Sequence, residues 1–334
     1  MPRTNDVPSL TRRLGLMLRA RRFRPPSATV AGDSIPPAPD IPTDMAQVCR
    51  HVAARGLFVI GAARSGTTIL QNALNGADDI FLFGEPRFHL DAGDADFAAR
   101  YNGMHRAWGN QENKSTYCPH LLEADGPWWA YLARLADTYR YVGSKIVINP
   151  AHAVAECGQL FDFHCRHFYT SRYIFTFRNP LDVLMSTRGL AQLTGGRVAS
   201  HSEVLRGFFS VVQLYVRALR NLPHVHAVFH EAIDARVFDA LGKALELRLD
   251  HAMDYYDRGK VRHYSLDDIP PDHRASAAEA MALYDDFRRE AMTGFGLLQI
   301  EQNDGHLDAG HFTPLGRLSR RVNRFLDELA ERDT

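Results

Sequence analysis

Five consecutive residues, Arg64-Ser65-Gly66-Thr67-Thr68, carry the first chemical signal in this chain. They sit inside LFVIGAARSGTTILQNALNG, Leu57 to Gly76, where an apolar run meets a glycine-rich turn and then a helical pattern. A strand feeding such a turn into a helix presents unpaired backbone N–H groups at the positive end of the helix dipole, which is an anion site. Gly61, Gly66 and Thr68 stand in the register of the nucleoside-triphosphate loop G-x-x-x-x-G-K-[ST], yet Thr67 occupies the lysine position. The positive charge has moved to Arg64. A planar guanidinium forks across two anionic oxygens where a loop lysine acts as a point charge, so the loop suits a different anhydride.

A second group lies in RNPLDVLMS, Arg178 to Ser186. Arg178 ends an apolar run and so would point into the crevice at the strand ends of an open sheet, with Ser186 about two turns into the next helix. The plain alternative is a strand-end arginine paired with a carboxylate such as Asp182. For proton transfer, Glu85 follows the apolar run DIFLFG directly and should stand at the crevice rim, unless it caps a turn or pairs with Arg87. As a base it would need partial burial to lift it from the ordinary carboxylate range. His89 is the second candidate. Lys145, one of four lysines, begins or precedes the run GSKIVINP and either reaches the anion or faces water at a strand edge.

The elements that must position these groups alternate strand with helix. GLFVIG, DIFLFGEP, GSKIVINP, RYIFTFRNP and HVHAVFH read as strands. TTILQNALNG, PLDVLMSTRGLAQL, EAIDARVFDALGKALEL and the amphipathic LGRLSRRVNRFLDELAER read as helices. Asn179 caps and Pro180 opens the helix carrying Ser186. This order predicts an α/β fold, a parallel sheet with helices on both faces. Residues 1–44 are a basic N-terminal segment and a Pro-rich linker, and the folded domain spans 45–334. Within it residues 86–141 form an aromatic insertion, with Tyr101, Trp108, Tyr117, Trp128 and Trp129, that either lines an acceptor pocket or packs through its tryptophans. Leu10, Leu14, Met17 and Leu18 share one face among arginines. Residues 10–23 are too short and charged to span a bilayer, which leaves a solvated helix, a peripheral membrane contact or a presequence.

Composition narrows the function. The 334 residues have a formal net charge of zero, 45% hydrophobic and 23% charged residues, so no nucleic-acid partner is expected. Cys49, Cys118, Cys157 and Cys165 show no metal-ligand or disulfide spacing, and no metal site is expected.

On Arg64-Ser65-Gly66-Thr67-Thr68 and on Arg178 with Ser186, the chain resembles the sulfotransferases that use 3′-phosphoadenosine 5′-phosphosulfate (PAPS). The resemblance covers about Gly56 to Leu190, and the arginine at the basic position looks more like the bacterial, carbohydrate and tyrosylprotein branches. It implies a P-loop-like sulfotransferase fold with PAPS as co-substrate and no metal. Arg64, Ser65, Gly66, Thr67 and Thr68 would take the 5′-phosphosulfate, and Arg178 and Ser186 the 3′-phosphate. Glu85 would be the base, as in related branches, with His89 as alternative because cytosolic members use histidine. Arg64 and Lys145 would face the sulfuryl oxygens. The acceptor would be a hydroxyl of a carbohydrate, lipid, phenol or tyrosine. A cytoplasmic, bacterial enzyme is the expectation. Two other functions compete: a P-loop kinase or NTPase, against which Thr67 and the lack of a strand-end aspartate stand, and a catalytically idle nucleotide-binding module.

Overall fold

The strands are the short apolar runs, and their residues are buried almost without alternation, as in a sheet covered on both faces. In the computed structural model they are β1 (Gly56–Ala62), β2 (Ile80–Gly84), β3 (Tyr141–Ile148), β4 (Arg172–Phe177) and β5 (His224–Phe229). All pairings are parallel, and the order across the sheet is β2-β3-β1-β4-β5. The structure describes residues 43–91, 96–109, 122, 126–194, 197–256, 261–294 and 312–332. The basic N-terminal residues 10–23 and the Pro-rich linker lie outside them, as do Tyr117, Cys118 and the side chain of Trp108.

The helices are α1 (Thr43–Val52), α2 (Thr67–Asn75), α3 (Phe97–Gly109), α4 (Trp128–Thr138), α5 (Ala153–His167), α6 (Pro180–Thr194), α7 (His201–Asn221), α8 (Ala235–Leu245), α9 (Pro271–Gly294) and α10 (Phe312–Arg332). They divide unequally. Leu70 and Leu74 of α2 and Phe238 and Leu241 of α8 pack with Leu57, Val59 and Ile174 in one core layer. The larger layer joins residues of all the other helices, around Phe58, Trp128, Phe175, Phe209, Phe287 and Phe325. Parallel crossovers are right-handed, so the β1-α2-β2 connection and the β3-α5-β4 connection, which run in opposite directions across the sheet, lie on opposite faces. The crevice this opens at the C-terminal end of β1 is where open α/β sheets bind ligands.

Asn179 caps α6 by accepting a hydrogen bond from Leu181 N at 2.8 Å, with Pro180 in the first helical position. The segment after β5 begins its helix later than its pattern suggests. Residues His230–Ala232 form a 3₁₀ turn, and the Asp234 carboxylate accepts from Val237 N at 3.1 Å to start α8. In α10, Leu318, Val322, Phe325 and Leu329 are all buried, and Ser319 and Gln213 lock the helix to α7 by hydrogen bonds of 2.6 and 2.7 Å.

Candidate functional site

The loop after β1 is held from below. Ser65 donates to the Ala62 carbonyl from both its N–H, at 3.2 Å, and its hydroxyl, at 2.8 Å. That hydroxyl also bonds Thr176 Oγ1 on β4 at 2.9 Å. Ser65 thus spends its side chain on the loop's shape, tying β1 to its neighbour. Arg64 and Gly66 take left-handed backbone, with φ of 69° and 95°. A Cβ at Gly66 would lie 2.5 Å from Cδ2 of His230, so only glycine fits between the loop and the end of β5. The first amides of α2, which no intrahelical carbonyl satisfies, begin there.

Three strands deliver charge to this helix end. Lys145 is in the interior of β3, not at its start or edge, and is buried at 1% exposure. Its side chain lies under α2, with Nζ 2.7 Å from Glu85 Oε1 and donating to Thr68 Oγ1 at 3.1 Å. Burial pulls the Lys145 ammonium below the usual lysine value; Glu85 opposes that shift and Arg64 adds to it. Glu85 sits just past β2, where its N–H donates to the Lys145 carbonyl at 3.0 Å and its φ is 59°. A left-handed non-glycine residue at a crevice rim is held there by its surroundings. The Gly84 N–H before it donates to Tyr101 Oη of α3 at 2.9 Å.

Arg64 spans the two sequence motifs, since its Nε donates to Ser186 Oγ of α6 at 2.9 Å across 122 residues of sequence. Burial, and then the neighbouring Arg178, hold the Arg64 guanidinium below the usual arginine value. Among the described residues Arg64 has no carboxylate partner. Arg178 itself does pair with Asp182, at 3.4 Å, but that carboxylate is fully buried. Asp182 also accepts from Tyr264 N at 2.9 Å, and Arg178 donates to the Arg262 carbonyl at 2.9 Å, so the pair anchors the segment 261–264 beside the crevice. Arg64, Ser65, Gly66, Thr67, Thr68, Lys145, Glu85, Arg178 and Ser186 are therefore brought together at one end of the sheet.

His89 is not brought there. Its imidazole is buried beside Glu156, at 3.5 Å, and burial lowers its pKa while Glu156 opposes that shift. Arg87 turns to the same carboxylate at 3.1 Å, so Arg87 pairs with Glu156 and not with Glu85. The described residues of the aromatic insertion divide between the core and a cleft. Trp128 is fully buried and stacks on Phe88 at 4.4 Å, whereas Tyr101, Phe97 and Met104 line a cleft of about 460 Å³ that opens on Glu85.

Sequence reasoning missed three residues of this site. His230 ends β5 as Arg178 ends β4, and that shared strand-end position was the signal. Its Nδ1 is buried and unpartnered, and burial, with Arg178 and His263, brings its pKa down to about 4. Glu231 accepts from Asn179 N and from Tyr284 Oη, fixing the turn behind Arg178, and nothing local in the sequence marks it. Tyr101 drew notice as an aromatic residue, but its bond to Gly84 is visible only in three dimensions.

The model of the sulfotransferase family matches residues 56–239, more than half of the chain. Among solved structures the chain is similar to the sulfotransferase domain from the Synechococcus PCC 7002 olefin synthase. The identity is 18% and the TM-score 0.44, with 74% of this chain and 92% of that one covered. No curated protein matches the chain. On the family match, which begins with β1 and takes in the loop, Glu85, Lys145, Arg178 and Ser186, the chain belongs to the sulfotransferase family.

Proposed function

We propose that the protein transfers a sulfuryl group from PAPS to a hydroxyl acceptor. The observation that carries this reading is the meeting of Arg64, Lys145 and Arg178 at the first turn of α2, with Arg64 lacking any carboxylate among the described residues. The Arg64 guanidinium is exposed at the crevice and faces the positive charge of the neighbouring Arg178 with no carboxylate of its own among the described residues, a repulsion that a bound anion would relieve. A phosphate-sized anion with a second phosphate near Ser186 answers that need. The fit is supported by the glycine-only cradle at Gly66 and the outward-facing helix amides.

PAPS supplies a sulfuryl group activated on a phosphate anhydride. In this reading the α2 amides, Arg64 and the Thr67 and Thr68 hydroxyls hold the 5′ end, and Arg178 and Ser186 hold the 3′-phosphate. Thr68 already accepts a hydrogen bond from Lys145, so its own proton is available to an anionic oxygen. Lys145 stands where charge grows on the transferring group, and preorganised charge in a buried site stabilises such growth strongly. Glu85 Oε1, held by Lys145, would take the proton of the acceptor hydroxyl as the acceptor oxygen bonds to sulfur and the sulfur–oxygen bond to the 5′-phosphate breaks, with 3′,5′-adenosine bisphosphate leaving.

Thermal stability with 3′,5′-adenosine bisphosphate, ADP and ATP, each with and without Mg²⁺, tests the reading. A ligand at about 100 times its Kd adds about 2.7 kcal/mol, a shift of a few degrees. The expected result is a Mg²⁺-independent shift with the bisphosphate, lost in Arg178→Ala. A shift only with Mg²⁺-ATP would return the protein to the kinases.

A further inference from the structure

We infer that the acceptor is a neutral small molecule with an apolar body and a terminal hydroxyl, an alcohol or phenol without an anionic group. This rests on the sulfuryl-transfer reading, because it takes Glu85 as the end of the acceptor site. The cleft at Glu85 has a volume of about 460 Å³, within the roughly 300–1,000 Å³ of small-molecule sites. Leu90 and Met104 give it partly exposed apolar surface over the buried Pro86, Phe97 and Tyr101, and covering that surface supplies affinity.

The charges facing the cleft decide against an anionic acceptor. Among the described residues each is matched: Glu85 with Lys145 at 2.7 Å, Asp91 with Arg100 at 2.8 Å, and Arg87 with Glu156 at 3.1 Å. An anion that drew Arg87 away would leave the Glu156 carboxylate, 1% exposed, buried without that partner, which is costly. One placed toward Arg100 would meet Asp91 as well. Among the described residues the cleft therefore offers no unmatched positive charge to a sulfated glycan or an acidic tyrosyl peptide. Nor does Trp128 offer a stacking face to a sugar, since it is fully buried against Phe88.

Isothermal titration of the complex with 3′,5′-adenosine bisphosphate, using 2-naphthol and 6-hydroxynaphthalene-2-sulfonate, tests this on a single ring system. The naphthol should bind and the sulfonate should bind at least about tenfold more weakly, because its charge finds no unmatched partner. Leu90→Arg and Met104→Arg should each weaken naphthol binding by at least about tenfold through an unpaired charge in the apolar wall. Both variants should keep the wild-type affinity for the bisphosphate, which certifies their fold. Equal or tighter binding of the sulfonate, no binding of the naphthol, or naphthol binding unchanged in both variants would overturn the inference. Bisphosphate binding by the wild type separates that result from failure of the sulfuryl-transfer reading, which would show as no bisphosphate binding at all.

Discussion

Glu85 and Lys145 form one unit, and their variants should fail in the same step. Glu85→Gln keeps the shape of the side chain but removes the proton acceptor. We expect turnover to fall by about 10²- to 10⁴-fold, the usual worth of a positioned base, with bisphosphate affinity unchanged. Initial rates and a binding isotherm check this together. Lys145→Met fills the same buried space without charge, so the fold should persist while turnover drops by roughly 10²-fold or more, as for loss of an oxyanion donor. Gly66→Ala should both strain the loop and push on His230, costing upward of about 1 kcal/mol of stability and most of the bisphosphate affinity. Denaturation midpoints and titration of the variant measure the two effects. The places of Arg64, Thr68, Arg178 and Ser186 at strand ends and in the helices that follow were legible in the sequence, because a glycine turn or an arginine closing an apolar run marks those junctions. Lys145 was only half legible: its type stood out, but whether a strand residue faces a helix or water depends on the partner strands.

At the scale of elements, the helix pair α3 and α4 supports the rim of the crevice. Tyr101 of α3 accepts from the last N–H of β2, immediately before the left-handed Glu85. Tyr101→Phe leaves that buried N–H unsatisfied, at a cost of about 1–3 kcal/mol. Because the loss falls beside Glu85, turnover should fall more than acceptor affinity, a difference that separate kcat and KM values would reveal. The strands were legible because a sheet buried on both faces writes itself as continuous apolar runs. Helix α7 was not read from the sequence; the structure closes its N-terminus with a Ser200–Glu203 capping box, and its apolar face is so broad that the run lacks the narrow stripe of a surface helix. Which aromatics of the 86–141 segment would be buried was not legible, since tryptophan packs and lines pockets with the same chemistry.

The whole molecule should weaken in mild acid. His226 in β5 is buried, and burial, with His224 and Arg172, lowers its pKa to about 3; that of His230 falls to about 4. Both values lie below the ordinary histidine value of about 6.5, so between pH 6.5 and about 4 the unfolded chain binds more protons than the folded one. Stability must then fall as pH drops through that window, by about 2 kcal/mol for His226 at pH 5. Urea titrations at pH 7 and 5 should show the loss, and His226→Leu should reduce it. The strand order carries a different consequence, for assembly during synthesis. β1 pairs only with β3 and β4, so Val59 waits for Lys145 and Gly61 waits for Thr176. Those partners leave the ribosome long after the loop they support. A nascent chain that stops before β4 carries every residue of Arg64-Ser65-Gly66-Thr67-Thr68 and yet lacks the strand that braces Ser65, so the loop takes its braced shape only late in translation.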